Sequence, residues 1–452
     1  MLAGGASQEA WLVDVALAGA PDPLRLVMRR DMGGALTTMA LDRATEFAVL
    51  QVAYAGGVPA PRPYFAPATI AGKAAFFMER VDGETVGRKI VTEPSLAEAR
   101  AALPVQLARA LAAIHALDAG APEIAGRLQR PAAGQSAIGV ELARLYAELD
   151  AVGEPHPALE YALRRLALAQ PPGVEPSFVH GDFRIGNVVV DGRGLRAVLD
   201  WEFAHAGDPY EDLAWPCVRA WRFGNDALAM GGIADREAWL LAYEGASGRP
   251  VDRDRVAYHE ILGNVKWAVG ALMQARRHLT GEERSIELAS LGRIAAEMEL
   301  EALALLAARD GHAASPDGAA PAPEPAESIG DRPSAGELIA AVREYLQAEV
   351  VPQLDDRRAR FRALIAQNVL AVVERELATQ PGDVRAEHAR LDALGLKGAG
   401  LLARRQDLAG RIRRGEYDAP GPAAAVAAYA RRSVVAKLRV ANPRYLERFA
   451  RS

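Results

Sequence analysis

The chain has 452 residues, 50% of them hydrophobic and 25% charged, with one cysteine and a net charge of −5. At roughly 100–200 residues per domain, that length asks for two or three domains, and the apolar fraction excludes a wholly disordered chain. No apolar run nears the ~18–20 residues of a membrane-spanning helix, no basic-then-apolar leader pattern opens the chain, and Cys217 alone makes no internal disulfide, so a cytoplasmic protein is expected.

The net charge hides an asymmetry. From Asp331 onward 22 Lys and Arg stand against 15 Asp and Glu, a balance of +7, and the part before it carries −12. Opposite signs in two segments suggest two domains of separate origin. The basic tail could be read as a nucleic-acid surface, but its acidic residues are interspersed. Its candidate stacking residues Tyr345, Phe361, Tyr417, Tyr429, Tyr445 and Phe449 are scattered, which argues against that partner.

In chain order, residues 11–17 and 24–29 read as strands around the turn Pro21-Asp22-Pro23. Residues 41–55 read as a helix with Phe47, Leu50 and Tyr54 on one face, ended by Gly56-Gly57-Val58-Pro59. Residues 75–78 form a short apolar strand. Helices then dominate, at 105–117, 140–149 and 159–168, until a β-type island at 178–179, 187–190 and 195–199 interrupts them. Helical pattern resumes through Arg309. The segment 310–333 holds Pro316, Pro321, Pro323, Pro325 and Pro333 and reads as an extended linker. Beyond it, Leu338, Val342, Leu346 and Val350 form one stripe, and Phe361, Leu364, Ile365, Val369 and Val372 another. Both are expected to fill an ordinary helical core. Asn442-Pro443 stops the last long helix.

The residues that point to chemistry are His180-Gly181-Asp182-Phe183-Arg184-Ile185-Gly186-Asn187, directly after a predicted strand, and Asp200, at the end of the following hairpin. This order brings Asp182, Asn187 and Asp200 to one edge of a small sheet. Phosphoryl transfer asks for such a set: one carboxylate to take the proton of an attacking hydroxyl, and an amide with a second carboxylate to hold Mg²⁺ against nucleotide phosphates. Each residue alone would read as a turn former or strand end. No His/Cys cluster has zinc-ligand spacing.

The run Val-His-Gly-Asp-Phe-Arg-Ile-Gly-Asn, followed by Val-Leu-Asp-Trp-Glu-Phe-Ala-His-Ala-Gly-Asp-Pro, resembles the catalytic and metal loops of the aminoglycoside phosphotransferase superfamily. It looks most like the branch related to the kinase domains that accompany acyl-CoA dehydrogenases. The resemblance covers roughly residues 2–309 and implies an α+β, two-lobed, protein-kinase-like fold followed by a separate all-α domain. The implied boundaries are a small β-rich lobe and hinge at 1–83, a helical lobe at 84–309, the linker at 310–333 and the helical domain at 334–452. The tail resembles an uncharacterised domain found with such kinases.

The same resemblance implies roles. Asp182 is the base, and Asn187 and Asp200 are the Mg²⁺ ligands; Asp208 and Asp212 are structural. Gly4, Gly5 and Ser7 belong to a glycine-rich turn whose amides approach phosphates. Only three residues precede Gly4, fewer than the resemblance implies. Arg29 stands where kinases place a phosphate-binding lysine, and a planar fork there replaces a point charge; Glu46 is its carboxylate partner. Met78, Glu79 and Val81 belong to the hinge that binds the adenine of ATP. His180 reads as a loop brace rather than a base, His115 as a helix-packing histidine, and Arg184 either as an acid-binding residue or as a brace for Asp182.

The expected activity is ATP- and Mg²⁺-dependent transfer of the γ-phosphoryl group to an alcohol on a small molecule, such as a hydroxyacyl thioester. The alternatives are an aminoglycoside kinase and a non-catalytic nucleotide-binding scaffold. The tail carries no catalytic constellation and is expected to bind a protein partner or to self-associate.

Overall fold

The computed structural model describes residues 8–19, 21–31, 40–311, 332–398 and 400–451. Gly4, Gly5 and Ser7, and most of the proline-rich linker, lie outside the described residues. In chain order the elements are β1 Gln8–Val15, β2 Leu24–Asp31, α1 Arg43–Ala55, β3 Pro63–Ile70, β4 Lys73–Glu79, α2 Gly87–Thr92, α3 Ala97–His115, α4 Ala137–Val152 and α5 Pro157–Leu168. They continue with β5 Ser177–Val179, β6 Val188–Asp191, β7 Gly194–Val198, β8 His205–Gly207, α6 Tyr210–Ala214, α7 Arg236–Ser247, α8 Arg253–Leu279 and α9 Ile286–Arg309. The tail holds α10 Ala335–Tyr345, α11 Arg357–Ala393, α12 Leu401–Arg413, α13 Pro420–Ala441 and α14 Pro443–Phe449. No described helix is long and apolar enough to cross a membrane.

The chain divides into two compact units, residues 1–141 with 171–263, and residues 142–170 with 264–452. In the first, β1 to β4 form an antiparallel sheet in the order β1-β2-β4-β3. β3, which the sequence reading does not mark, is an edge strand, the one place where Pro63 and Pro67 cost no ladder hydrogen bond on a second side. α1 starts where Asp42 accepts the Thr45 N–H at 2.8 Å, an N-cap. It packs on the sheet through Phe47 against Phe76, ring centroids 5.6 Å apart. The expected β-island is present as the hairpin β6–β7 and as β5, which pairs with the unanticipated three-residue β8. A bridge between Glu84 and Val190 ties the segment after β4 to β6.

The second unit is helical, and α11 to α13 are not confined to one another. α12 and α13 lie against α5, and α11 and α13 lie against α9. Their contacts include buried charge. Glu299 on α9, 1% exposed, accepts from Lys437 Nζ at 2.8 Å and faces His156 Nδ1 at 3.3 Å. Arg413 on α12 donates to Asp150 at 2.7 Å, also pairs with Glu160, and stacks on Tyr146 at 4.8 Å. The core runs through the long helices, with Leu408, Ile412, Val426, Val434 and Leu438 almost fully enclosed. Asn442 both ends α13 and starts α14, where its side chain accepts the Tyr445 N–H.

The two stripes expected to fill this core do so only in part. Val372 is buried, whereas Leu338, Val342, Phe361 and Leu364 are each about half exposed. α10 touches α11 but buries none of its residues. A stripe gives the period of a helix, and the number of neighbouring helices decides whether the stripe is covered.

Candidate active site

β5 ends at Val179 and delivers His180 to Asn187 as a tight loop. Gly181 has φ +80°, and a Cβ there would stand 2.3 Å from the Phe203 carbonyl oxygen, so the motif needs glycine at this position. The loop is anchored from below by Asp212 of α6, which is fully buried and accepts the main-chain N–H of His180 at 2.7 Å and of Gly181 at 2.9 Å. His115 completes the anchor, with Nε2 3.4 Å from Asp212 and Nδ1 2.7 Å from the Tyr243 hydroxyl. Asp208 is a second anchor, paired with Arg255 and with His259 at 3.1 Å. Asp212→Ala should leave two buried amides without acceptors and cost about 2–5 kcal/mol of stability, read as a lowered midpoint in chemical denaturation. An unchanged midpoint would contradict this anchoring.

His180 is a brace. Burial disfavours its charged form and lowers its pKa. The neutral ring donates from Nε2 to the Leu199 carbonyl at 3.0 Å and accepts the Asp182 N–H at Nδ1 at 3.2 Å. Both nitrogens are committed, so the ring has none left to take a proton from substrate.

Asp182 is clamped on both oxygens. Its Oδ1 accepts from Arg184 Nε at 2.9 Å and from Trp215 Nε1 at 2.6 Å; its Oδ2 accepts from Asn187 Nδ2 at 2.6 Å. Asn187 Nδ2 also reaches the Asp182 main-chain oxygen at 3.0 Å. With its NH₂ group so committed, Asn187 keeps its amide oxygen available for a cation. The Arg184 guanidinium carbon lies over Trp221, 4.3 Å from the ring centroid, and the side chain fills space that a Cβ on Gly186 would take. Arg184 thus braces Asp182, one of the two roles the sequence leaves open.

Asp200 follows β7 with φ 63° and ψ 60°, a left-handed conformation that Asp tolerates better than most residues and that marks functional positions. Its carboxylate pairs with Arg29, which β2 carries to the same place. Arg29 also stands 3.4 Å from Glu46 of α1, so the cation bridges Glu46 and Asp200. Burial disfavours the Arg29 charge, but Glu46 and Asp200 outweigh it and keep the guanidinium protonated. Burial likewise works to raise the Asp200 carboxyl, and Arg29 overrides it and holds the group below its ordinary value.

Three residues join this network that sequence reasoning does not single out. Arg43 pairs with Glu46 and stands 3.6 Å from Glu202; Glu202 is pushed up to about 7 by its burial; Trp215 holds Asp182. Arg43 lies three residues before Glu46, a helical spacing that could have flagged the pair. Trp215 is distant in sequence and has no local signature.

The donor set fits Mg²⁺ better than a protein-only metal cage. Among the described residues no cluster of three or more His, Cys, Asp or Glu could hold a metal. Magnesium typically takes one or two protein oxygens and completes its shell with water and phosphate, which is what Asn187 and Asp200 offer.

At the hinge, Met78 pairs across the sheet with Val27 and is nearly buried. The Glu79 N–H is taken by the Arg62 carbonyl at 2.8 Å and the Arg80 N–H by Arg25 at 3.1 Å. The Glu79 and Arg80 amides are therefore both committed within the chain.

A β-sheet lobe, a clamped loop aspartate, a following asparagine and a hairpin-end aspartate paired to a strand cation define the kinase-like phosphotransferase class. The chain belongs to the phosphotransferase enzyme family, whose model matches residues 2–259. A second model, a domain of unknown function (DUF6285), matches residues 352–445. Among curated proteins, acyl-CoA dehydrogenase family member 11 of Rattus norvegicus is 31% identical over 194 residues, 42% of this chain and 24% of that protein. Acyl-CoA dehydrogenase family member 10 of Mus musculus is 26% identical over 296 residues, 61% of this chain and 26% of that protein. The chain thus spans about a quarter of the length of these relatives. A crystal structure from Ralstonia eutropha, assigned provisionally as an aminoglycoside phosphotransferase, shares the fold with TM-score 0.50 and 22% identity over 67% of this chain and 94% of that one.

Proposed function

We propose that the chain is an ATP- and Mg²⁺-dependent phosphotransferase that moves the γ-phosphoryl group to an alcohol on a small acidic or acyl-bearing molecule. The observation that carries this reading is a pair of neighbouring sets, Asp182 with Asn187 and Asp200 with Arg29 and Glu46, tied where the Leu199 N–H next to Asp200 donates to the Asn187 carbonyl at 2.8 Å. Asn187 and Asp200 would hold Mg²⁺, which when bound neutralises charge on the nucleotide phosphates. Asp182 receives the proton of the acceptor hydroxyl on Oδ2, since Oδ1 already accepts two hydrogen bonds. Arg29, paired with Asp200, would meet phosphate oxygens. Met78, Glu79 and Val81 line the adenine end, with main chain as the recognising group.

Around Asp182 stand the Arg184 guanidinium, already paired with Asp182, and the indoles of Trp215 and Trp221. The names of the curated relatives support an acyl-CoA-related hydroxyl compound. A screen of hydroxyacyl-CoA thioesters, simple alcohols and aminoglycosides should find ATP-dependent mass gain of one phosphoryl group in the thioester or acid arm. Gain confined to the aminoglycoside arm would overturn the acceptor assignment and restore the antibiotic-kinase reading.

A further inference from the structure

We propose that the groove between α3 and α7 is a binding site for a small oxyanion, a phosphate or carboxylate head on a short carbon stem. The groove has a volume of about 340 Å³, near the lower end of the ~300–1,000 Å³ of small-ligand sites. None of its lining residues belongs to the set around Asp182, Asn187 and Asp200.

The groove is open because both helices carry small side chains where they line it. α3 brings Ala112 and Ala113, one turn after Arg109, and α7 brings Ala246 and Ser247, one turn after Tyr243. Residues three and four apart share a helix face, and side chains this small leave space that a close-packed interior would fill. Their methyl groups suit a carbon stem. The inner wall is fixed: Tyr243 and His115 are nearly buried and meet at 2.7 Å. Burial pushes the Tyr243 hydroxyl up to about 12, so it stays protonated and donates to His115 Nδ1.

Charge decides what the groove takes. Arg109 and Arg249 line it, both are exposed, and neither guanidinium has a hydrogen-bond or ion-pair partner among the described residues. No Asp or Glu lines it. Glu244, also on α7, is occupied by Arg253, and Asp212, beside His115, holds the His180 and Gly181 amides. Ser247 Oγ accepts the Arg249 main-chain N–H at 3.2 Å and keeps its own proton to donate. Two guanidiniums and one hydroxyl proton are thus left for a ligand. α3 and α7 both end here, and each helix end carries roughly half a negative charge. Two whole positive charges outweigh them. An oxyanion satisfies both arginines with charge-assisted hydrogen bonds, and a cation is repelled.

Calorimetric titration of the full chain with propyl phosphate and with butanoate should give saturable binding in at least one arm, at about 1 mM or tighter for ligands of this size. The tighter arm names the head group. Choline, a cation of similar size, should not bind. Arg109→Ala with Arg249→Ala should weaken the anion by about tenfold or more, because the charge-assisted contacts go. The circular dichroism melt should stay at the parent value, since both arginines are exposed. Ala246→Leu keeps both charges but fills the groove, and should weaken propyl phosphate by about tenfold as well. Failure of both anions to bind, choline binding as well as they do, or anion binding that either variant leaves at the parent affinity would overturn the proposal.

Discussion

Asp182→Asn should cut turnover by roughly 10²–10⁴-fold, the usual contribution of a general base, while Mg·ATP affinity stays within about tenfold of the parent. The reason lies in the clamp. An asparagine at 182 keeps its amide oxygen for Arg184 and Trp215 but turns an NH₂ group toward Asn187 Nδ2, where a carboxylate oxygen now accepts. Asn187 must rotate or lose a hydrogen bond, so the proposed metal ligand is disturbed mildly and the proposed base is removed outright. Asp200→Asn should behave differently. It removes the carboxylate that would hold Mg²⁺ and also the partner of Arg29, so Mg²⁺-dependent nucleotide binding and turnover should fall together. Asn187→Ala should weaken metal dependence less than Asp200→Asn, because a neutral amide attracts a cation less. Calorimetric titration of Mg·ATP, paired with steady-state turnover, separates the three variants. Lost nucleotide binding in Asp182→Asn, with intact metal dependence in Asp200→Asn, would exchange the two assignments.

Lys437→Met should destabilise the helical second unit by about 3–5 kcal/mol, the range for breaking one side of a buried ion pair. Glu299 is 1% exposed, and the substitution leaves it only His156. Burial alone would raise its pKa, but Lys437 and then His156 pull it down to about 2. The sign follows from that depression. The pair's stabilisation is fully present above the ordinary glutamate value near 4.5 and is lost as pH falls through about 2, so the parent should lose stability across that window and Lys437→Met should lose less there. Ending the chain after Gly311 should cost more still. It removes Lys437 from Glu299 and Arg413 from Glu160, which is 4% exposed, and strips the faces of α5 and α9 that α12 and α13 cover. Denaturation of both forms across this pH range reads these effects; equal stability of parent and Lys437→Met at neutral pH would contradict them.

The loop from His180 to Asn187 and the later Asp200 were legible because their chemistry sits in one short stretch with a hairpin between. The same holds for α1 with its Gly-rich stop and for Arg29, although β2 runs two residues beyond it to Asp31. Trp215 and Glu202 were not legible, because only the folding of α6 and of the turn after β7 brings them to Asp182 and Arg43. β3 was hidden by its prolines, which an edge strand accepts. β8 was hidden by being three residues long. In the tail, period revealed the helices but not their neighbours. The linker composition gave no hint that α13 would contribute Lys437 to a carboxylate on α9.

The central claim, that this chain turns over nucleotide rather than merely binding it, is tested most directly by following ATP labelled at the γ-phosphoryl group. Full-length protein should transfer or release the label in Mg²⁺, lose that activity on chelation, and exceed Asp182→Asn under the same conditions. Folded protein that binds ATP equally with and without Mg²⁺, and consumes it no faster than Asp182→Asn, would contradict the claim and leave a nucleotide-binding scaffold.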